Sequence, residues 1–150
     1  MLHDKANGPY KIMYISKSSI IINAPAAKVW QALTDPAMVK QWLYGTEMKA
    51  EWKVGGKITY TGSWEGKNYQ DKGEILELEP EKKLVSTYWS GISGKADIPE
   101  NYQVVSYILE PDGQMTKLTI TQENEKEESV KQATENWNSV LENLKRIILG

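Results

Sequence analysis

Residues 129–149 read SVKQATENWNSVLENLKRIIL. The apolar residues of this stretch recur every three or four positions and therefore share one face of an α-helix. They are Val130, Ala133, Trp137, Val140, Leu141, Leu144 and Ile148. Charged and amide side chains occupy the opposite face, and Ser129 with Gln132 fits a capping box at the start. The stretch predicts a helix about 31 Å long that packs against the core of a small domain, so we expect Trp137→Ala to cost about 3–5 kcal/mol.

The middle of the sequence, from residue 46 to residue 123, consists of short runs that are typical of β-strands. Turn-forming residues separate several of the runs, as at Gly55-Gly56, Glu65-Gly66 and Pro111-Asp112-Gly113. Strands joined by such short turns must be antiparallel. The predicted strands cover residues 46–54, 57–64, 68–79, 84–90, 102–110 and 115–123.

Three more elements are predicted before this region. Residues 11–23 indicate a first strand because β-branched residues are frequent in them. Residues 25–33 indicate a short helix with Pro25 at its first position. Asp35, as an N-cap, starts a second helix that ends near residue 43. Residues 1–10 show no pattern, and we expect a flexible arm there, outside a single domain of residues 11–150.

The simplest way to bury a helix with one apolar face is to curl a sheet around it. We therefore predict an α+β fold in which a curved antiparallel sheet of about seven strands wraps around one long C-terminal helix. Two short helices lie between strands 1 and 2 in this prediction.

Composition restricts the chemistry of this chain. Its 150 residues carry a net charge of −2, no cysteine and one histidine, His3. Disulfides, thiol catalysis and thiolate metal sites are excluded, and a Ser-His-Asp triad would have only His3. We expect no metal, no cofactor and no nucleic-acid partner. No apolar run approaches the roughly 20 residues that cross a bilayer and no secretory signal is present, so we expect no membrane span and a cytoplasmic location.

The aromatic residues are unusual because six Trp and eight Tyr occur with no Phe. Every ring therefore carries a polar atom that needs a hydrogen-bond partner or water when it is buried. Two interpretations remain open at this point. The rings either pack in an ordinary core, or they line a partly hydrated cavity.

Several stretches together resemble the START-like, helix-grip proteins, and most of all the family named after the activator of heat-shock protein 90 ATPase. The stretches that carry the resemblance are Ile22-Asn-Ala-Pro-Ala-Ala-Lys-Val-Trp30, Ala32-Leu-Thr-Asp-Pro36, Trp42, Val54-Gly-Gly56, Gly73-Glu-Ile-Leu-Glu77, Glu110-Pro-Asp-Gly113 and Trp137 with Leu141 and Leu144-Lys145. They occur in the family's order and at about its spacing. One departure is Asn136, where the family often has Gly before the helix Trp, which suggests a wider gap or a different helix roll.

The resemblance implies a cavity between sheet and helix that accepts small apolar or amphipathic molecules. Our first hypothesis is a non-catalytic binding module with residues 91–100 as a lid. The residues we expect to line its cavity and bind the ligand are Trp42, Tyr60, Trp64, Trp89, Tyr107, Trp137 and Leu141.

Two alternatives stay open. One is a co-chaperone or stress-response module that binds a chaperone through an exposed patch. The other is a cyclase- or aromatase-like enzyme acting in the cavity. Its polar candidates are Glu51, Tyr60, Asp71, Tyr88, Gln103 and Tyr107. We assign no residue a catalytic role, interpret the acidic residues 123–128 as a solvated helix start, and expect a monomer or homodimer.

Overall fold

A computed structural model of the chain describes residues 12–150. The predicted arm, and the predicted start of strand 1 at Lys11, lie outside the described residues. The elements are β1 (Tyr14–Ile22), α1 (Ala26–Thr34), α2 (Pro36–Trp42), β2 (Glu47–Ala50), β3 (Lys57–Trp64), β4 (Lys67–Glu79), β5 (Lys83–Tyr88), β6 (Gln103–Asp112), β7 (Met115–Asn124) and α3 (Ser129–Leu149). One turn of 3₁₀ helix, Pro99–Asn101, precedes β6.

The seven strands form one antiparallel sheet in the order β1-β7-β6-β5-β4-β3-β2. The first strand pairs with the last because the chain crosses from β1 through the two short helices to the far edge. A register shift between Ile75 and Glu77 interrupts the β4–β5 ladder, and such irregularities bend a strand. The predicted α+β architecture, a curved sheet around α3 with two helices between β1 and β2, is confirmed.

The C-terminal half of α3 is part of the core. Leu141, Leu144 and Ile148 are buried against the sheet and the short helices. Polar contacts also fix the helix: the Oγ of Ser18 on β1 lies 3.3 Å from the carbonyl oxygen of Thr134 and donates to it. The N-terminal half of α3 is less buried, since Val130 and Trp137 are only partly shielded.

The two short helices close one end of the sheet. Asp35 caps α2 as predicted, with its Oδ1 accepting from the backbone N–H of Ala37 at 3.0 Å. At the end of α2, the indole N–H of Trp42 donates to the carbonyl of Ala32 on α1 at 2.8 Å. Asn143 of α3 donates from Nδ2 to the carbonyl of Trp42 at 2.7 Å. Trp42 therefore links α1, α2 and α3.

Two local predictions are corrected. The capping box at Ser129 is wrong because α3 already includes Ser129, and Gln132 donates instead to Asn136 Oδ1 at 2.9 Å. The strand predicted over residues 46–54 covers only Glu47–Ala50. The chain then forms a loop in which a Cβ on Gly56 would lie 1.9 Å from the carbonyl oxygen of Glu51. That close approach, rather than a two-residue hairpin, requires glycine there.

Candidate functional site

A pocket of about 990 Å³ lies between the sheet and the N-terminal half of α3. Its mouth is marked by Tyr44, Trp64 and Ile92, which line the pocket but are largely exposed. Eight aromatic side chains line it. They are Trp42, Tyr44, Tyr60, Trp64, Tyr69, Tyr88, Tyr107 and Trp137.

The inner wall contains two aromatic pairs. Tyr60 and Tyr88 meet edge to face with ring centroids 6.2 Å apart, and Tyr107 meets Trp137 in the same way at 5.9 Å. The second pair joins the sheet to α3. The indole N–H of Trp137 also donates to Oε1 of Gln122 on β7 at 2.8 Å. Edge-to-face pairs and this hydrogen bond give the wall a defined shape.

Two hydroxyl groups of this wall, those of Tyr60 and Tyr107, are unpaired in the described part of the chain. Within residues 12–150, neither hydroxyl has a hydrogen-bond partner. Every fully buried side-chain oxygen or nitrogen in this part of the chain is paired, so the two hydroxyls are not fully buried. Both side chains line the pocket, and both also border a second, much smaller cavity. Burial, and secondly the charge of Asp71, raises the pKa of Tyr60 to about 12. Burial also raises the pKa of Tyr107, so both groups remain protonated donors at neutral pH.

Asp71 is the carboxylate inside the pocket. Its Oδ2 accepts from the hydroxyl of Tyr88 at 2.5 Å, and its Oδ1 accepts from the backbone N–H of Gly91 at 2.9 Å. Burial first, and then the hydrogen bond and charge of Asp71, raises the pKa of Tyr88. A Cβ on Gly91 would lie 2.3 Å from the carbonyl oxygen of Gln70. Asp71 therefore anchors the start of the 91–100 loop against β4.

A separate cluster holds the same loop on the other face of the sheet. The rings of Trp89 and Tyr102 stack with their centroids 6.3 Å apart. The indole N–H of Trp89 donates to the carbonyl oxygen of Lys95 at 3.2 Å. Lys72 pairs with Asp97 at 2.7 Å, and Asp97 also accepts a hydrogen bond from Tyr102. The hydrogen bonds from Lys72 and Tyr102 lower the pKa of Asp97. This cluster fixes the loop outside the pocket.

Five of the seven residues expected to line the cavity do so: Trp42, Tyr60, Trp64, Tyr107 and Trp137. Two do not, and the expectation for them is corrected. Trp89 follows Tyr88 in sequence and therefore faces the opposite side. Leu141, only 1% exposed, packs in the core, while its neighbour Val140 lines the pocket.

The polar candidates divide in a similar way. Tyr60, Asp71, Tyr88, Gln103 and Tyr107 all line the pocket. Glu51 does not, because β2 ends before it and its side chain is exposed.

Sequence reasoning missed Tyr69, which also lines the pocket. Its hydroxyl lies 2.7 Å from Thr46 Oγ1, and its ring covers Gly62, where a Cβ would lie 2.5 Å from the tyrosine oxygen. Gly62 faces Tyr69 across the β3–β4 ladder. A glycine inside a strand often marks close approach by another group, and that signal could have identified the pair.

Residues 12–150 contain no group of three or more His, Cys, Asp or Glu side chains placed to hold a metal ion. Over the same residues, no helix has both the length and the apolar character needed to cross a membrane.

Comparison with protein-family models shows which family the chain belongs to. The family model described as "Activator of Hsp90 ATPase homolog 1-like protein" matches residues 23–148. The chain belongs to this family. The START-like, helix-grip resemblance is thereby confirmed. The comparison with curated proteins found no match.

Solved structures with the same fold are similar over nearly the whole chain. The solution structure of ChR145 from Cytophaga hutchinsonii is 38% identical, with a TM-score of 0.80, covering 93% of this chain and 96% of that one. CalU16 from Micromonospora echinospora is 21% identical, with a TM-score of 0.70 and coverage of 93% and 87%. DynU16, from the dynemicin biosynthetic locus, is 22% identical, with a TM-score of 0.72 and coverage of 88% and 46%. The last two share the fold.

Proposed function

We propose that this protein binds one small, largely apolar or amphipathic molecule in the pocket between the sheet and α3, without transforming it. The observation that carries the proposal is the pocket of about 990 Å³ with two unpaired tyrosine hydroxyls, Tyr60 and Tyr107, in an aromatic wall. Ligand pockets are typically about 300–1,000 Å³, mostly apolar, with a few polar groups that fix orientation. Membership of a START-like family supports the same function.

Binding would use the two parts of the wall differently. The apolar body of a ligand would replace water against Trp137, Val105 and Val140, and this burial would supply most of the affinity. A hydroxyl or carbonyl group on the ligand would accept hydrogen bonds from Tyr60 and Tyr107. Residues 91–100 would limit exchange with solvent, since Ile92 lies at the mouth.

The experiment is a titration of the purified protein with neutral amphiphiles such as decanol, a sterol and an aromatic polyketide. Intrinsic tryptophan fluorescence reports on the pocket because Trp42, Trp64 and Trp137 line it, and calorimetry gives the affinity. The double variant Tyr60→Phe/Tyr107→Phe keeps the rings and removes the hydroxyls. We expect it to bind a polar-headed ligand about three- to tenfold more weakly for each hydroxyl lost.

Tyr14→Phe is the matched control, since Tyr14 on β1 is not among the residues that line the pocket, and its affinity should equal that of the wild type. A flat fluorescence and calorimetric response across the panel would contradict the proposal.

An enzyme acting in the same pocket is the second candidate. Asp71 and Tyr88, joined at 2.5 Å, face the same space as the protonated hydroxyls of Tyr60 and Tyr107. A carboxylate can act as a general base, and phenol donors can stabilise negative charge on a carbonyl oxygen. Turnover of a poly-β-keto or cyclic ketone substrate, followed by mass spectrometry, tests this function. Asp71→Asn should then abolish product formation without abolishing binding.

The family description also suggests a chaperone-binding module. Ile15 and Ile21 on the outer face of β1, and Ile12 before it, are exposed, and exposed apolar side chains could contact a protein partner. A pull-down with purified chaperone tests it. Ile15→Lys should remove the interaction and leave the pocket unchanged.

A further inference from the structure

The charged groups of the pocket wall are all acidic. No Lys, Arg or His occurs among the lining residues within the described chain, whereas Asp71 and Glu128 do. Glu128 is exposed at the mouth, and Asp71 is buried inside. An anionic ligand would therefore meet no basic side chain in this pocket.

The charge of Asp71 has no basic partner. Its hydrogen-bond donors are the hydroxyl of Tyr88 and the N–H of Gly91, both uncharged. The next residue, Lys72, faces away and pairs with Asp97. Asp71 is in none of the ion pairs found in residues 12–150. A buried carboxylate without a countercharge is costly, and a cationic ligand would supply what is missing.

The rings around Asp71 favour a cation as well. Tyr60 faces Asp71 across the β3–β4 ladder, and Tyr88 contacts both. Aromatic faces attract ammonium groups, most of all where water is excluded. After burial, the charge of Asp71 is the second cause of the raised pKa of Tyr60, so its field extends across this wall.

On the basis of the proposed function, we propose that the preferred occupant is an amphiphile with a positively charged amine or quaternary ammonium head. The head lies beside Asp71, Tyr60 and Tyr88, and the apolar body extends towards Trp137 and the mouth. A carboxylate head of the same size is disfavoured because it meets a like charge and no basic side chain.

The test uses three ligands with one tail: decyltrimethylammonium, decanol and decanoate, each below its micelle concentration. Calorimetry and tryptophan fluorescence at pH 7.4 should give the ammonium about tenfold tighter binding than decanol, and decanoate about tenfold weaker binding than decanol. Asp71→Asn should bring the ammonium and decanol within about threefold of each other. Asp112→Asn, an equal change of net charge in the exposed β6–β7 turn, should leave the preference intact.

A second variant tests the inference even if Asp71→Asn does not fold. Gln103 lines the pocket and faces Tyr88 across the β5–β6 ladder. Gln103→Lys adds a cation to the wall that holds Asp71 and should remove the preference, so that decyltrimethylammonium binds no more tightly than decanol. Circular dichroism checks that each variant is folded.

The possible outcomes separate the two proposals. Equal affinities for decanol and the ammonium, or the same preference in Asp71→Asn as in Asp112→Asn, would overturn the head-group inference and leave ligand binding standing. Failure of all three ligands to bind would overturn both.

Discussion

The indole N–H of Trp137 donates a 2.8 Å hydrogen bond to Oε1 of Gln122, and the ring of Trp137 meets Tyr107 edge to face. Trp137 thus belongs to the pocket wall and is only partly shielded, while Leu144, two turns further along α3, is completely buried. The two halves of one amphipathic stripe have different environments. One half is packed in the core and the other borders open space.

The first prediction concerns these two halves. Trp137→Ala should lower the free energy of unfolding by about 1–3 kcal/mol, less than sequence periodicity suggested, because the ring already borders an open pocket. Leu144→Ala should cost about 2–5 kcal/mol because it leaves a closed cavity. Urea unfolding measures both. If Trp137→Ala lowers the free energy of unfolding as much as Leu144→Ala does, Trp137 is packed like a core residue.

The hydrogen bond of Trp137 can be separated from its ring. Trp137→Phe keeps an aromatic edge near Tyr107 and removes the donor to Gln122. We expect a loss of about 0.5–1.5 kcal/mol in unfolding free energy. The loss should be this small because Gln122 also lines the pocket and is not sealed in the core once its partner is removed. Adding Gln122→Ala to Trp137→Phe should then cost less than Gln122→Ala alone. Additive losses in this double-mutant cycle would show that the two side chains are not coupled.

A glycine within the sheet gives the next prediction. Gly73 has no room for a side chain, because a Cβ there would lie 1.9 Å from the carbonyl oxygen of Thr87. Gly73→Ala should destabilise the protein by more than about 2 kcal/mol, since backbone must move. Gly94, in open space with a φ of +80°, is the control, and Gly94→Ala should cost about 1 kcal/mol. Equal thermal shifts for the two variants would contradict this reasoning.

Periodicity predicted the long elements well. The stripe from Val130 to Ile148 identified α3 with the bounds that the structure has. Alternating runs and turn residues identified the strands, so the fold class followed from local patterns. The same periodicity could not distinguish Val140 from Leu141, which are neighbours at the edge of the stripe. Only the packing of α3 on the sheet decides which of them borders the pocket.

Long-range contacts explain the remaining errors. The sequence predicts that the acidic run at 123–128 is solvated, whereas Glu123 is buried and accepts a hydrogen bond from the N–H of Val104 at 3.1 Å. That partner is 19 residues away and leaves no local signal. The sequence predicts Trp89 in the pocket, but a shift of one residue in strand parity near the end of β5 puts Tyr88 there instead. The unpaired charge of Asp71 likewise depends on where Lys72 and the 91–100 loop lie.

The N-cap of α2 offers a test of a local prediction that the structure confirms. Asp35→Ala removes the acceptor for the N–H of Ala37 and should cost about 1 kcal/mol. Gln41→Ala, on the exposed side of the same helix, should cost less than about 0.5 kcal/mol. Because Trp42 ends α2 and lines the pocket, Asp35→Ala should also change tryptophan fluorescence. No difference in stability between the two variants would mean that the cap contributes nothing.

The last prediction concerns alkaline pH. The pKa of Tyr60 is raised to about 12 in the folded protein, against about 10 in an unfolded chain. The folded state therefore holds the proton more tightly. The stability that this provides is complete below pH 10 and is lost as pH rises towards 12, by up to about 1.4 kcal/mol per pH unit. Tyr60→Phe removes the titrating group, so its unfolding free energy should fall less steeply than that of the wild type between pH 10 and 12. Urea unfolding at half-unit intervals of pH measures both slopes, and identical slopes would show that Tyr60 titrates as it does in the unfolded chain.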